Sequence, residues 1–400
     1  MIRKAFHNEV GYSVVELDGA RAVFAAASPR RGNTLQEQTE DVLQKLKSLF
    51  DEEGVSGAIV MQSVFLDDIE NQNVCRRIMR DFYGKQLPAT TYIPQPPCDG
   101  KTISVEAWGL GRGKDEVEIE RVNERLVIAR HNGIHWAYLA DVRPERAEGS
   151  VYDRAGSFFR SANQRLNAAG MCFEDVIRTW LYLGDITGNE GESLRYRELN
   201  RARTDFYRNL KFGNGLVPPG WERPFFPAST GIGVLGDDLI LGGLALRTSR
   251  RDLTLVPLEN PRQTSAYDYA HQYGSESPKF ARAMAVVADQ WVATFISGTA
   301  SITASETRHL GDIEHQTRQT LDNIEALIAA ENFQNHGLSG RGAILDDLAL
   351  ARVYIKRRED YAAARAVCRA RLGDLPILYV VADICRPELL VEIEGIAFSR

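Results

Sequence analysis

One order of signals occurs three times along this chain, and a recurrence of that length constrains the fold more than any other feature. The first copy opens with the strand-like "RAVFAAAS" and continues into "LQEQTEDVLQKLKSLFDEEG". There Leu35, Val42, Leu43, Leu46 and Leu49 follow helical spacing and Gly54 ends the run. A strand "AIVMQSVFL", a short helix over 70–83, "LPATTYI" and a closing strand "KTISVEAWG" complete it. The second copy reads "HWAYLA", a helix over 151–169, "VIRTWLYLG", a helix over 192–209, "FPASTGIG" and "DLILGGLAL". The third reads "WVATFISGTAS", a helix over 312–331, "ALARVYI", a helix over 359–371, "LPILYVVAD" and "ELLVEIEGIAF". A proline marks the fourth strand of each copy, at Pro88, Pro227 and Pro376, roughly 140–150 residues apart.

Each copy is an α+β layer in the order β-(β)-α-β-α-β-β, with its helices on one sheet face. The other face needs a cover, and three such units can cover one another around a pseudo-threefold axis. The expected units are 1–130, 131–250 and 251–400, the third beginning with a connecting segment. Stretches at about 112–132 and 247–288 are expected to connect the copies. Clefts between units then become the candidate ligand sites.

Composition narrows the function classes. A net charge of −6 over 400 residues gives no basic footprint for nucleic acid. The five cysteines are odd in number and dispersed, and neither they nor the seven histidines show metal-ligand spacing. No cofactor or metal is expected. The N-terminus lacks an apolar leader pattern, and no apolar run approaches the roughly 20 residues of a membrane span. A cytoplasmic location and no membrane partner are the expectations, with a monomer following from the internal pseudo-trimer.

Chemistry concentrates in "ADICRPELLVEIEGIAF" near the end of the chain. Glu392 and Glu394 sit two apart in a strand, so they share a face, and an unpaired buried carboxylate is costly. Flanked by Leu389, Leu390, Val391, Ile393 and Ile396, Glu392 has the apolar setting that raises a carboxyl pKa for proton donation. A structural glutamate tied to an arginine remains the alternative, and Glu394 reads as a structural partner.

With the pattern written out, "VFLDD", "LPATTYI", "HQTRQTLDNIEALIAAEN" and "LLVEIEGIA" make the chain resemble the YjgF/RidA superfamily. The resemblance implies three tandem YjgF/RidA-like (chorismate-mutase-like) units forming a single-chain version of a trimer. RidA proper binds an imine carboxylate with an arginine after the fourth-strand proline, where this chain has Thr90, Ser229 and Ile377. Imine deamination is therefore not expected. At the superfamily's closing-strand glutamate, the first copy has Ser104 or a residue close by, the second an apolar or glycine position, and the third Glu392.

Copies two and three further resemble chorismatases, through "LRYRELNRARTDF", "RPFFPASTGIG", "SPKFARAMAV", "ISGTASITASETRHLGD" and "ICRPELLVEIEG". That resemblance implies release of pyruvate from chorismate or a related enolpyruvyl cyclic carboxylic acid. It implies Glu392 as general acid and Cys385 as a pocket residue, with Gly298 where the choice of small residue steers product type. Leu181 departs from the pattern, which has an asparagine there, and the N-terminal copy is expected to be an addition to the usual chorismatase.

A small carboxylate-bearing substrate needs cations, and Arg203 and Arg223 are the candidates, with Tyr196 and Thr230 as hydroxyl partners. Asp312 reads as a helix N-cap. Two other readings stand beside this one: a superfamily protein of other activity, including the endoribonuclease L-PSP type, and a non-catalytic small-molecule-binding protein.

Overall fold

The recurring strands pair into three six-stranded sheets of identical connectivity. The computed structural model describes residues 2–8, 10–268 and 277–400. The first sheet runs Ile2–His7, Val10–Leu17, Ala20–Ala27, Ile103–Arg112, Ile59–Leu66, Ala89–Ile93. The third follows the same order: Thr254–Leu258, Ala283–Val287, Val292–Ala300, Val391–Ser399, Leu348–Ile355, Ile377–Val381. The second, taken from the same end, runs Glu118–Asn123, Leu126–His131, Ile134–Val142, Leu239–Thr248, Val176–Gly184, Ala228–Val234. In each sheet the final pair is parallel and every other pair antiparallel. A helical crossover joins that parallel pair, as parallel strands require. Pro88, Pro227 and Pro376 each stand immediately before the last strand, where a missing N–H costs the ladder nothing.

Among the described residues, seven α-helices lie on the outer faces: α1 Leu35–Glu52, α2 Gln72–Tyr83, α3 Val151–Ala168, α4 Arg195–Tyr207, α5 Ile313–Ile328, α6 Ala330–Asn335 and α7 Tyr361–Leu372. The first starts on a capping box, Thr34 with Glu37, and buries Val42, Leu43, Leu46 and Leu49 as its spacing predicts. Asp312 caps α5, accepting from the His315 N–H at 3.0 Å. The helix expected over 312–331 breaks at Ala329, whose extended backbone (ψ 149°) separates α5 from α6. The Ile328 carbonyl accepts instead from the Ala343 N–H at 2.7 Å.

Each sheet buries one face under its own helices and the other against its two neighbours. Phe24 and Trp108 of the first sheet, Trp136 and Trp180 of the second, and Phe295, Ile396 and Phe398 of the third share one central core. Trp108 meets Trp180 edge-on at 5.9 Å, and Phe24 meets Phe398 at 5.4 Å. This is the intramolecular pseudo-trimer of three α+β units.

The expected connectors are partly sheet. Within 112–132, Glu118–Asn123 and Leu126–His131 form a hairpin of the second sheet, so the partition expected at 130/131 cuts through that sheet. The outer strand alternates exposed and half-buried residues, which gave no apolar strand signal. Within 247–288, Thr254–Leu258 and Ala283–Val287 belong to the third sheet, while 269–276 lie outside the described residues.

Candidate active site

The closing strand Val391–Ser399 carries both glutamates inward, 5% and 4% exposed. Register places Glu392 opposite Tyr354 and Glu394 opposite Arg352. In the other closing strands, Ser104 and Ile240 fill the position of Glu392, opposite Phe65 and Tyr182. Glu106 and Gly242 fill that of Glu394, opposite Ser63 and Trp180.

The two carboxyls meet different surroundings. Glu394 pairs with Arg178 at 2.7 Å and Arg352 at 3.1 Å, and accepts from Trp180 Nε1 at 2.9 Å and from the Thr230 hydroxyl. Burial opposes its ionisation, but Arg352, Arg178 and these donors prevail and hold the carboxyl below its ordinary value. Glu392 accepts no hydrogen bond among the described residues. Burial, reinforced by the Glu394 anion and only partly offset by Arg178 and Arg282, pushes it up to about 8. Neighbouring carboxyls held apart in this way divide into a permanent anion and an acid that keeps its proton at neutral pH.

Glu392 faces a cavity of about 240 Å³ between the second and third units. The strand Val292–Ala300 shifts register between Ile296 and Thr299, and Gly298 lies in that bulge. A Cβ on Gly298 would stand 1.9 Å from Glu392 Oε1, so glycine here makes room for the carboxyl. Cys385 forms part of the wall; burial first, then the nearby Glu392, pushes its thiol up to about 12, which keeps it neutral and a poor nucleophile. From α4, Tyr196 and Arg203 line the facing side. Burial raises the Tyr196 phenol, leaving it a hydrogen-bond donor.

Arg203 is only 1% exposed, yet its partners are neutral: Asn200 Oδ1 at 2.5 Å and Ser229 Oγ at 3.4 Å. A buried guanidinium without a carboxylate partner among the described residues is a ready receptor for an anionic ligand. Its carbon Cζ lies 5.6 Å from the Phe280 ring centre, and that of Arg282 lies 5.4 Å from the same ring. Arg282 also lines the cavity and donates to the Thr264 carbonyl at 2.9 Å.

The structure thus brings together Glu392, Tyr196, Arg203, Gly298 and Cys385. Thr230 lies one layer behind, since the lining residues on its strand are Ser229 and Gly231. Arg223 is a correction: it is exposed, donates to the Asn335 carbonyl at 3.4 Å, and lines a separate groove with Trp221 and Phe225. It stands in an irregular stretch before its strand, where no periodicity fixes side-chain direction. Asn200, Phe280, Arg282 and Arg386 line the cavity without having been singled out. All four lay within the quoted motifs, so the signal was present without the direction. Among the described residues, no three His, Cys, Asp or Glu side chains group to hold a metal ion. No described helix is long and apolar enough to cross a membrane.

No protein-family model matches the chain. A chorismatase of Streptomyces hygroscopicus is 34% identical over 271 residues, covering 66% of this chain and 74% of that protein. This chain belongs to the chorismatase family. It is therefore an enzyme of that family, built from YjgF/RidA-like units. A 3-hydroxybenzoate synthase of the same organism is 38% identical over 233 residues, 56% of this chain, and the match spans 64% of the synthase's length. The crystal structure of a chorismatase shares the fold, with a TM-score of 0.66 at 24% identity, covering 94% of this chain and 98% of that one. The N-terminal unit, expected to be an addition, therefore has a structural counterpart in that chorismatase.

Proposed function

We propose that the enzyme releases pyruvate from chorismate, with Glu392 donating the proton that starts the reaction. One observation carries this reading. A buried carboxyl that accepts no hydrogen bond among the described residues, and that burial pushes toward its protonated form, faces a cavity that is also lined by the Arg203 guanidinium, whose described partners are neutral. An enol ether is cleaved by protonating its terminal methylene, which leaves positive charge on the ether carbon. Capture of that carbon by an oxygen nucleophile and breakage of its bond to the ring oxygen give pyruvate. Glu392 supplies the proton and becomes the carboxylate that faces the cationic carbon. Arg203 and Arg282 would hold the substrate carboxylates, with Tyr196 donating from the side.

The 38%-identical relative is a 3-hydroxybenzoate synthase, which supports a hydroxybenzoate as the second product. Chorismate splits into pyruvate and a hydroxybenzoate with no net water, whereas a dihydroxycyclohexadiene product requires one. We also propose a monomer, since the three sheets already cover one another within a single chain.

The test is to incubate the purified enzyme with chorismate, follow pyruvate with coupled lactate dehydrogenase, and identify the ring product by chromatography. Release of pyruvate that is lost in Glu392→Gln supports the reading. Wild-type enzyme that forms no pyruvate overturns it.

A further inference from the structure

Glu394 does not line the cavity. It lies behind it, around a small space of about 20 Å³ shared with Arg178, Trp180 and Arg352. Its link to the cavity runs through one hydroxyl. Thr230 Oγ1 accepts from Arg178 at 2.5 Å and from the Gly298 N–H at 2.9 Å. With both lone pairs occupied, its single proton is directed to Glu394. The Gly298 backbone so fixed is the surface against which the Glu392 carboxyl rests. Glu394, Thr230 and Arg178 are buried and Gly298 is half-buried, and the Thr230 hydroxyl that joins them is fully hydrogen-bonded.

We propose that Glu394 is a positioning residue for Glu392, fixing through the Thr230 hydroxyl the Gly298 backbone on which the Glu392 carboxyl rests. The catalytic part of this inference rests on Glu392 being the proton donor. Glu394 also acts by charge. The groups facing Glu392 are Glu394 on its own strand, Arg178 from Val176–Gly184, Arg282 before Ala283–Val287, Tyr196 from α4 and Cys385 from the preceding loop. Tyr196 and Cys385 are held neutral by burial. Neutralising Glu394 removes the neighbouring anion that opposes ionisation, while Arg178 and Arg282 continue to favour the Glu392 carboxylate.

Glu394→Gln keeps the shape and removes the charge. In protein labelled with ¹³C at glutamate side-chain carboxyls, the Glu392 resonance is assigned by its absence in Glu392→Gln. Its titration midpoint should fall by about one pH unit or more in Glu394→Gln. The alkaline limb of the kcat profile should fall in parallel, while kcat on the acid side stays within a few-fold. An unchanged midpoint, or a kcat loss equal at every pH, overturns the proposal. Should wild-type enzyme form no pyruvate, the proposed reaction fails, yet the carboxyl titration still decides this inference.

Should Glu394→Gln not fold, Thr230 provides the decision. Thr230→Val should lower kcat about tenfold or more with KM little changed, and Thr230→Ser should restore it. Thr230→Val as active as wild type overturns the proposal. Where there is no turnover, a Glu392 midpoint unmoved by Thr230→Val does the same.

Discussion

The cleft between the second and third units and the cleft between the first and second are built from equivalent strands, and only the former is left open to chemistry. In the open cleft the bulged strand carries Gly298, the closing strand carries Glu392, and Arg203 has neutral partners. In the other cleft the corresponding bulge, opposite Leu241 and Gly243, carries Asp141. Asp141 is 1% exposed and pairs with Arg76 at 3.0 Å and Arg143 at 2.9 Å. Arg76 also pairs with Glu124 at 3.1 Å, and Ile240 takes the position of Glu392. Charge in the second cleft is matched internally. In the first, a carboxylic acid and a guanidinium cation each lack a charged partner among the described residues, and that mismatch is what a ligand can complete.

The largest test of this contrast is Glu392→Gln, expected to lower kcat by about 10²–10⁴-fold. Arg76→Met in the charge-matched cleft should leave turnover within a few-fold and destabilise the fold by about 1–3 kcal/mol, read from denaturant unfolding, because Asp141 loses one of its partners and keeps Arg143. A large loss of turnover without loss of stability would mean that the charge-matched cleft takes part in catalysis.

The acid is also a stability liability at neutral pH. Glu392 binds its proton more tightly folded than unfolded, so its contribution is fully present below the unfolded value near 4.5. That contribution is lost as pH rises toward about 8. Glu392→Gln should therefore unfold at higher denaturant than wild type at pH 7, by about 3 kcal/mol, and the gap should close by pH 4. A gap constant with pH would contradict the raised acid.

Arg203→Met should raise KM roughly 10–100-fold with a smaller effect on kcat, the loss of a charge-assisted contact to substrate. The smallest effect belongs to Gly298→Ala. Its Cβ collides with Glu392 Oε1, so the carboxyl must turn, and kcat should fall about tenfold with an altered product ratio by chromatography. An unaltered rate and product would show that the carboxyl works from another rotamer.

The three-unit architecture was legible because apolar periodicity and the strand-initiating prolines are local, and each was repeated. Comparing copies also isolated Glu392, since Ser104 and Ile240 stand at its position in the others. The partners of Glu394 were not legible: Arg178 lies 216 residues away in sequence, and nothing in "VIRTWLYLG" says that its arginine points to a distant strand. The same limit explains Arg223 and Arg282. One was expected in the cavity and lies outside; the other precedes a strand read as connector and lies inside.

The sequence by itself determined the elements, their order and the face of each strand, because these follow from spacings of two and 3.6 residues. Only the tertiary structure decided which charges are matched. Pairing depends on which side chains the packed sheets bring within about 4 Å, a distance that no single segment of the chain encodes. Glu394 and Glu392 are two residues apart with nearly the same burial; the arginines brought against Glu394 from the adjacent strand and from the second unit make it a fixed anion, and its neighbour an acid.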